Sequence, residues 1–349
     1  MHAGAIDVLV RGAGPVGCAL ALALRRSRLR VALLGHDTPS AFRPIALSYA
    51  SRLILERLGV WPLTALAPIA SIHVTQQGGF GAVRLEARDA GVPALGYVTE
   101  YSALVAALAR ENVCARVDAP PPARLVVHAE GAAPQAREKR YAQDALVAWV
   151  RTEPSAAEAA FERFTPEGPL AMLPCAGGYA VVWTCAPGRA RELLEASPEA
   201  FTRALGQAAG TRPGRPIEVR HRGVVPLVLR VQRPRVVGRE VYIGNAAQTL
   251  HPVAGQGLNL GLRDAWDLAG VLAEADDPGD PAALARFAAL RRADARTAIG
   301  LTDVLAGAFL GSSRALRAAR GAALAAFDVL PGARRFFARR MIYGPSALP

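Results

Sequence analysis

Apolar runs alternate along this chain with glycine- and proline-rich breaks. The first run, Ile6-Asp7-Val8-Leu9-Val10, has the length and branched character of a strand. A turn over Gly12 to Gly17 follows, then the Ala/Leu run Cys18 to Arg26, which reads as a helix, and a second apolar strand over Arg30 to Leu34. Strand, helix and strand in that order make a βαβ unit and imply a parallel sheet. From Ala46 to Gly59 the apolar positions Ala46, Leu47, Ala50, Leu53, Ile54 and Leu58 have helical spacing and stop at a glycine, as a C-terminal cap would. A second helix is expected from about Ser102 to Arg110. Pro120-Pro121-Pro122 then breaks the chain before a strand at Leu125-Val126-Val127.

The middle of the chain changes character. Val147 to Val150, Phe161 to Phe164, Leu170 to Leu173 and Tyr179 to Thr184 are short strand-like runs divided by Gly and Pro, as in an antiparallel sheet. From Pro281 to Ala338 the sequence is helical, rich in Ala, Leu and Arg. We therefore expect a discontinuous α/β domain over 1–70, 98–140 and 234–280, an antiparallel-sheet domain over 71–97 and 141–233, and a helical C-terminal region over 281–349. A chain of 349 residues is long enough to enclose a ligand between two such parts.

Charge narrows the partners. The chain carries a net +12, and Lys139 is its sole lysine. The arginines are scattered over the chain and no basic run is set in a recognisable nucleic-acid reading module, so nucleic-acid binding is not expected. An Arg- and Ala-rich coding bias accounts for much of the charge; what remains suits a dinucleotide or an acidic membrane face. Cys18, Cys114, Cys175 and Cys185 form no C-x-x-C pair and have no His at metal-ligand spacing, so free thiols in a reducing compartment and no metal site are expected. No apolar stretch reaches about 18 residues without charge, which points to a cytoplasmic protein, peripheral at most on the inner face of the cytoplasmic membrane.

Two motifs carry chemistry. Gly12-Ala13-Gly14-Pro15-Val16-Gly17 fits the dinucleotide fingerprint G-x-G-x-x-G, directly after a strand and at the start of a helix. Gly12 allows the tight turn, Gly14 lets the backbone approach a pyrophosphate, and Gly17 lets helix and strand pack closely. The phosphates would meet the free N–H groups of the helix start. The acidic residue that ordinarily ends the second strand is missing: Gly35 and His36 stand there, and Asp37 lies two positions late as a substitute. The second motif runs from Val241 to Ala265, an apolar strand leading into a loop with Gly244, Asn245, Gly255, Gln256, Gly257 and Asn259 and then an amphipathic helix. Such a loop offers several backbone N–H groups to one point, which suits the part of a flavin where negative charge gathers on reduction.

This second stretch resembles the FAD-binding motif of the aromatic-ring flavoprotein monooxygenases, in the version found in the 2-polyprenyl-6-methoxyphenol hydroxylase family of ubiquinone biosynthesis. The likeness extends over Gly12 to Leu24, Arg43 to Trp61, Ile72 to Phe80, Gly96 to Glu100, Tyr141 to Thr152, Tyr179 to Thr184 and Gly244 to Ala265. It implies an α/β fold of the p-hydroxybenzoate hydroxylase type: a Rossmann-type FAD-binding domain with a central parallel sheet, an antiparallel-sheet substrate domain and a C-terminal helical segment. It implies that Gly12, Gly14, Pro15, Val16, Gly17, Asp37 and Arg43 meet the FAD, with Gly244 and Asn245 on the pyrophosphate and ribityl region. Pro252, Gly255, Gln256, Gly257, Leu258 and Asn259 would then lie along the isoalloxazine. Asn245 stands where most relatives outside the quinone branch have Asp. Glu130 stands for the Asp of the family's Asp-Gly motif, and the stretch from Asn112 to Arg124 is shorter than the family's.

The implied activity is hydroxylation of an electron-rich, phenolic ring, a polyprenylated quinone precursor, with O2 and NAD(P)H as electron donor; other quinone-biosynthesis proteins are expected partners. A phenol is activated by losing its proton, which calls for a base within hydrogen-bond reach. His251 and the adjoining Pro252 in the flavin loop are the leading catalytic candidates, ahead of His73 and His221; Tyr179 and Trp183 are candidates for the ring pocket or for the core. Arg314 to Arg320 and Arg334 to Arg340 mix Arg with apolar residues at near-helical spacing, as in a membrane-surface helix or a solvated helix packed on the FAD domain. Two other readings stay open: a flavin-binding accessory subunit with reduced turnover, and a related flavin oxidoreductase.

Overall fold

The computed structural model describes residues 6–35, 42–131, 133, 135–156, 158–249, 256–310 and 314–343. The first third holds β1 (Ile6–Arg11), α1 (Pro15–Leu24), β2 (Val31–Leu34), β3 (Pro44–Ser48), α2 (Tyr49–Arg57), β4 (Ala67–Ile69), β5 (Ser71–Gln76), β6 (Ala82–Glu86) and α3 (Ala87–Ala90). There follow β7 (Gly96–Glu100), α4 (Tyr101–Glu111), β8 (Ala115–Val117), β9 (Ala123–His128), β10 (Arg137–Glu153), β11 (Ala159–Phe164), β12 (Pro169–Cys175) and β13 (Gly178–Cys185). The remainder comprises α5 (Pro187–Glu195), α6 (Pro198–Ala209), β14 (Arg215–Val231), β15 (Val236–Val237), β16 (Glu240–Tyr242), a 3-10 turn (Gly244–Ala246) and β17 (Gln248–Thr249). Four helices end it: α7 (Gln256–Glu274), α8 (Pro281–Leu310), α9 (Arg314–Val329) and α10 (Pro331–Tyr343).

Three sheets result. The first has strand order β15-β16-β9-β1-β2-β8 and is parallel except for the β15–β16 edge. Its inner strands are apolar on both faces because α1 lies on it with nearly every residue buried, and α1 in turn packs on α7. The second sheet, β17-β14-β10-β13-β12-β11-β5-β6, is antiparallel apart from the parallel β11–β5 pair. The strand β10 crosses the 140/141 division expected from sequence, since Arg137–Arg140 pair with Val228–Val231 in the same ladder as the rest of the strand. The third sheet is small, with order β3-β7-β4, and packs against β12.

One helix differs from the sequence reading. The helical spacing over Ala46–Gly59 begins too early: Pro44–Ser48 forms strand β3, with Ala46, Leu47 and Ser48 paired to Val98, Tyr97 and Gly96. The helix starts only once Ser48 caps it, its hydroxyl accepting from the Ser51 N–H at 3.2 Å. The helix expected near Ser102 is α4, and the proline run gives way to β9.

Candidate functional site

The turn between β1 and α1 is shaped by the backbone beneath it. Gly12 has φ +108°, open to glycine but costly for other residues, and a Cβ there would lie 2.7 Å from the Glu130 nitrogen. A Cβ on Gly17 would collide with the Gly12 carbonyl oxygen, so strand, turn and helix meet without side chains between them. The Ala129 N–H donates to the Arg11 carbonyl at 2.7 Å, fastening the end of β9 under the turn, and the Glu130 carboxylate pairs with Arg11 at 3.0 Å. At Gly14 there is more room: a Cβ would meet only the Tyr101 hydroxyl, at 3.4 Å. Gly14 is the N-cap of α1, Pro15 follows, and among the described residues no side chain caps the helix. An uncapped helix start with an open glycine in front is the cradle a pyrophosphate requires. The exposed Arg43 guanidinium lies over the Tyr101 ring, 4.4 Å from its centroid, at the edge of the same opening.

The second helix start is held by buried polar groups. Val16 of α1 inserts between the 3-10 turn and α7: a Cβ on Gly261 would meet the Val16 Cγ2 at 2.7 Å and the Gly244 Cα at 3.1 Å. Asp264, with no exposed surface, accepts the Gly244 N–H and the Gln248 side-chain amide, each at 3.0 Å, and the Arg291 Nε–H at 2.7 Å. Arg235 lies 3.2 Å from the same carboxylate. Burial would raise the Asp264 pKa, but Arg235, Arg291 and the Gly244 N–H outweigh it and hold the carboxyl below its usual range. Arg291 also pairs with Asp267 and Asp294, and Asp294 with Arg263, so α7 and α8 are joined by one buried ionic network.

Asn259, on the first turn of α7 that the structure describes, fastens a third element. Its Oδ1 accepts the Ser48 N–H at 2.8 Å and the Ser51 hydroxyl at 2.7 Å, and its Nδ2 donates to the Ala46 carbonyl at 2.9 Å. Its side chain therefore ties α7 to the β3–α2 junction. Around it, Gly257 and Leu258 are half-buried and Asn245 is exposed. Asp37, His251, Pro252 and Gly255 lie outside the described residues, as does the side chain of Gln256.

The remaining aromatic and histidine candidates stand apart. Tyr179 and Trp183 are 1% exposed and belong to the apolar core between the large sheet and the helices α5 and α6, so core filling is their role. His73 stacks on Phe161 on that same side of the sheet, and burial, with Arg84 and Arg212, lowers its pKa. His221, at φ +54°, stacks on Phe42 at 5.2 Å. Sequence reasoning missed Tyr101, Ser48, Ser51 and Arg291; only Ser48 and Ser51 carried a signal, the capping spacing S-x-x-S ahead of an apolar helix.

A family model described as FAD binding domain matches residues 123–302. The ubiquinone hydroxylase UbiL of Rhodospirillum rubrum is 32% identical over 95% of this chain and 88% of its own length. The 3-demethoxyubiquinol 3-hydroxylase of Escherichia coli is 30% identical, with 82% of this chain and 84% of that one covered. The crystal structure of p-nitrophenol 4-monooxygenase from Pseudomonas putida superposes with a TM-score of 0.75 at 17% identity, covering 96% of each chain, and so shares the fold, the p-hydroxybenzoate hydroxylase type. With a matching family model over half of its length and relatives of this kind over nearly all of it, the chain belongs to the FAD-binding-domain family of flavoprotein monooxygenases that includes hydroxylases of ubiquinone biosynthesis.

Proposed function

We propose that this FAD-dependent monooxygenase hydroxylates a phenolic ring of a quinone precursor, with O2 as co-substrate and NAD(P)H as electron donor. The observation that carries the reading is the meeting of two helix starts at Val16, Gly244 and Gly261, one of them uncapped, which suits an extended dinucleotide with phosphates at one end and a redox ring at the other. In this reading Gly14, Val16 and Gly17 hold the pyrophosphate through backbone N–H groups, Gly12, whose N–H is spent on the Leu34 carbonyl, shapes the turn, Pro15 sets the helix start beside the phosphates, and Arg43 closes the edge of the opening. Gly244 and Asn245 support the ribityl region, and the backbone from Gly255 to Asn259 borders the ring, with Asn259 positioning that backbone by its bonds to β3 and α2. Reduced flavin supplies the oxygen-activating chemistry. The protein's own part is to orient the substrate ring, exclude water and accept a proton from the phenol. Residues 1–70, 98–136 and 234–280 would serve the cofactor, and 71–97 and 137–233 the substrate, with the expected division at 140/141 moved to the start of β10.

A peripheral membrane contact fits the helical C-terminal region. Val329, Leu330 and Phe336 are 74%, 55% and 70% exposed, and Arg335 and Arg339 stand exposed beside Phe336. Apolar tips flanked by arginine suit the surface of an anionic bilayer, where a polyprenylated substrate resides. Phe336→Glu should weaken co-flotation with anionic vesicles at least several-fold and leave the melting temperature unchanged; equal flotation would remove this part.

The function is tested by incubating the FAD-loaded protein with 2-methoxyphenol, NADH or NADPH, and isotope-labelled O2. Substrate-stimulated oxidation of the nicotinamide and one labelled oxygen atom in the product are expected. Flavin-loaded protein that oxidises neither nicotinamide in the presence of phenols would favour the accessory-subunit reading.

A further inference from the structure

The two faces of the eight-stranded sheet are unequal. Leu146, Ala148, Phe161, Met172, Val181 and Trp183 point to the face sealed by α5 and α6. Their neighbours along each strand point to the other face. One row there runs across six strands through Val74, Glu162, Ala171, Val182, Val147 and Gly223, each paired directly with the next. All six are half-buried although they lie in the interior of the sheet. The adjacent row, through Ala160, Leu173, Ala180 and Trp149, is covered by Ile69 and Val98 of the small sheet and by Tyr49. The face is thus closed along one row and half-open along the next, about 7 Å away, where Val74 still packs on the apolar cluster.

That open row is tied to the proposed flavin end of the site. Tyr49 follows Ser48, which Asn259 of α7 holds by a hydrogen bond, and Phe42, before β3, stacks on His221 of β14. The strand β3 therefore bridges the start of α7 and the face that carries Glu162.

Glu162 is the one titratable side chain in an otherwise apolar row, and among the described residues it has no hydrogen-bond or ion-pair partner. A carboxyl set in apolar surroundings without a partner is costly unless something polar meets it. We propose that Glu162 receives the hydroxyl of the aromatic substrate on the floor of the sheet, and so selects a phenol over its ether. The assignment rests on the aromatic-hydroxylase reading above. An ionised carboxylate accepts the phenolic O–H; if the proton passes, the phenol O–H bond breaks, a carboxyl O–H forms, and no electrons are lost or gained. Burial alone pushes the Glu162 pKa up to about 7, with no neighbouring charge contributing, which brings it closer to a phenol's than an ordinary carboxylate would be.

The test uses FAD-loaded protein and the perturbation of the visible flavin spectrum by 2-methoxyphenol and by its ether, 1,2-dimethoxybenzene. The wild-type protein is expected to bind the phenol at least about tenfold more tightly than the ether, the scale of a hydrogen bond to a charged group. Glu162→Met should abolish that preference while FAD affinity is unchanged, and Glu162→Gln should restore part of it. Ala171→Leu, which fills the same floor, should weaken both compounds together. A Glu162→Met protein that keeps the wild-type preference overturns the assignment and leaves the hydroxylase reading intact. If neither compound perturbs the wild-type flavin, the hydroxylase reading falls, and the role of Glu162 with it.

Discussion

The helices α1 and α7 both begin beside the same glycine-lined opening, yet they are fixed there by opposite means. No residue of α1 is charged: Gly12 and Gly17 bring backbone against backbone, and the Cys18 thiol donates to the Ala13 carbonyl at 3.1 Å. The start of α7 is fixed by Asn259 and, two turns along, by the buried Asp264 with Arg235 and Arg291. A helix start meant for phosphate cannot be capped by its own side chains, so α1 is positioned by close packing behind the turn. The start of α7 can be pinned by polar groups that point inward and away from a ligand. Shape holds one end of the proposed cofactor site and charge holds the other.

The strongest way to break the contrast is to remove the central charge. Asp264→Ala leaves Arg235 and Arg291 buried without their shared partner, and chemical denaturation should show a loss of about 3–5 kcal/mol. Because the Asp264 pKa lies below its unfolded value, that contribution should be complete between about pH 5 and 8 and fade as the pH falls below about 4. A stability gap that widened in acid would contradict the assigned direction. At the other end, Gly17→Ala forces a methyl group onto the Gly12 carbonyl and should cost about 3 kcal/mol, near the upper end for overpacking, with no dependence on salt. Asn259→Leu should cost about 1–3 kcal/mol by leaving buried groups of Ala46, Ser48 and Ser51 unsatisfied, and should weaken FAD more than its stability loss explains. Equal losses of flavin affinity from Asn259→Leu and from a surface variant of matched stability would show that Asn259 serves folding alone.

The same contrast explains what could be read from the sequence. The turn at Gly12–Gly17 was legible because its requirements are local: a strand, glycines at fixed spacing and a helix within a single βαβ unit. Strand β3 was not, because Ala46 and Leu47 continue the helical spacing of Ala50, Leu53 and Ile54 and become a strand only through pairing with Val98 and Tyr97, some fifty positions along the chain. The ionic network was hidden for another reason. Asp264, Asp294 and Arg291 sit in amphipathic helices, where a charged residue ordinarily faces water, and only the packing of α7 on α8 turns these inward. Glu162 is the same case in a strand, a polar residue in an alternating pattern whose outer face proves to be half-covered.

Gly14 separates the cofactor from the fold most cleanly, since a Cβ there meets only the Tyr101 hydroxyl, at 3.4 Å, while standing where the proposed pyrophosphate approaches. The decisive measurement is therefore a titration of flavin-free wild-type and Gly14→Val proteins with FAD, followed by visible absorbance and by melting temperature. The account predicts flavin bands and a raised melting temperature for the wild type alone, with both proteins melting alike before FAD is added. Equal uptake of FAD by the two proteins would contradict a site built on the start of α1.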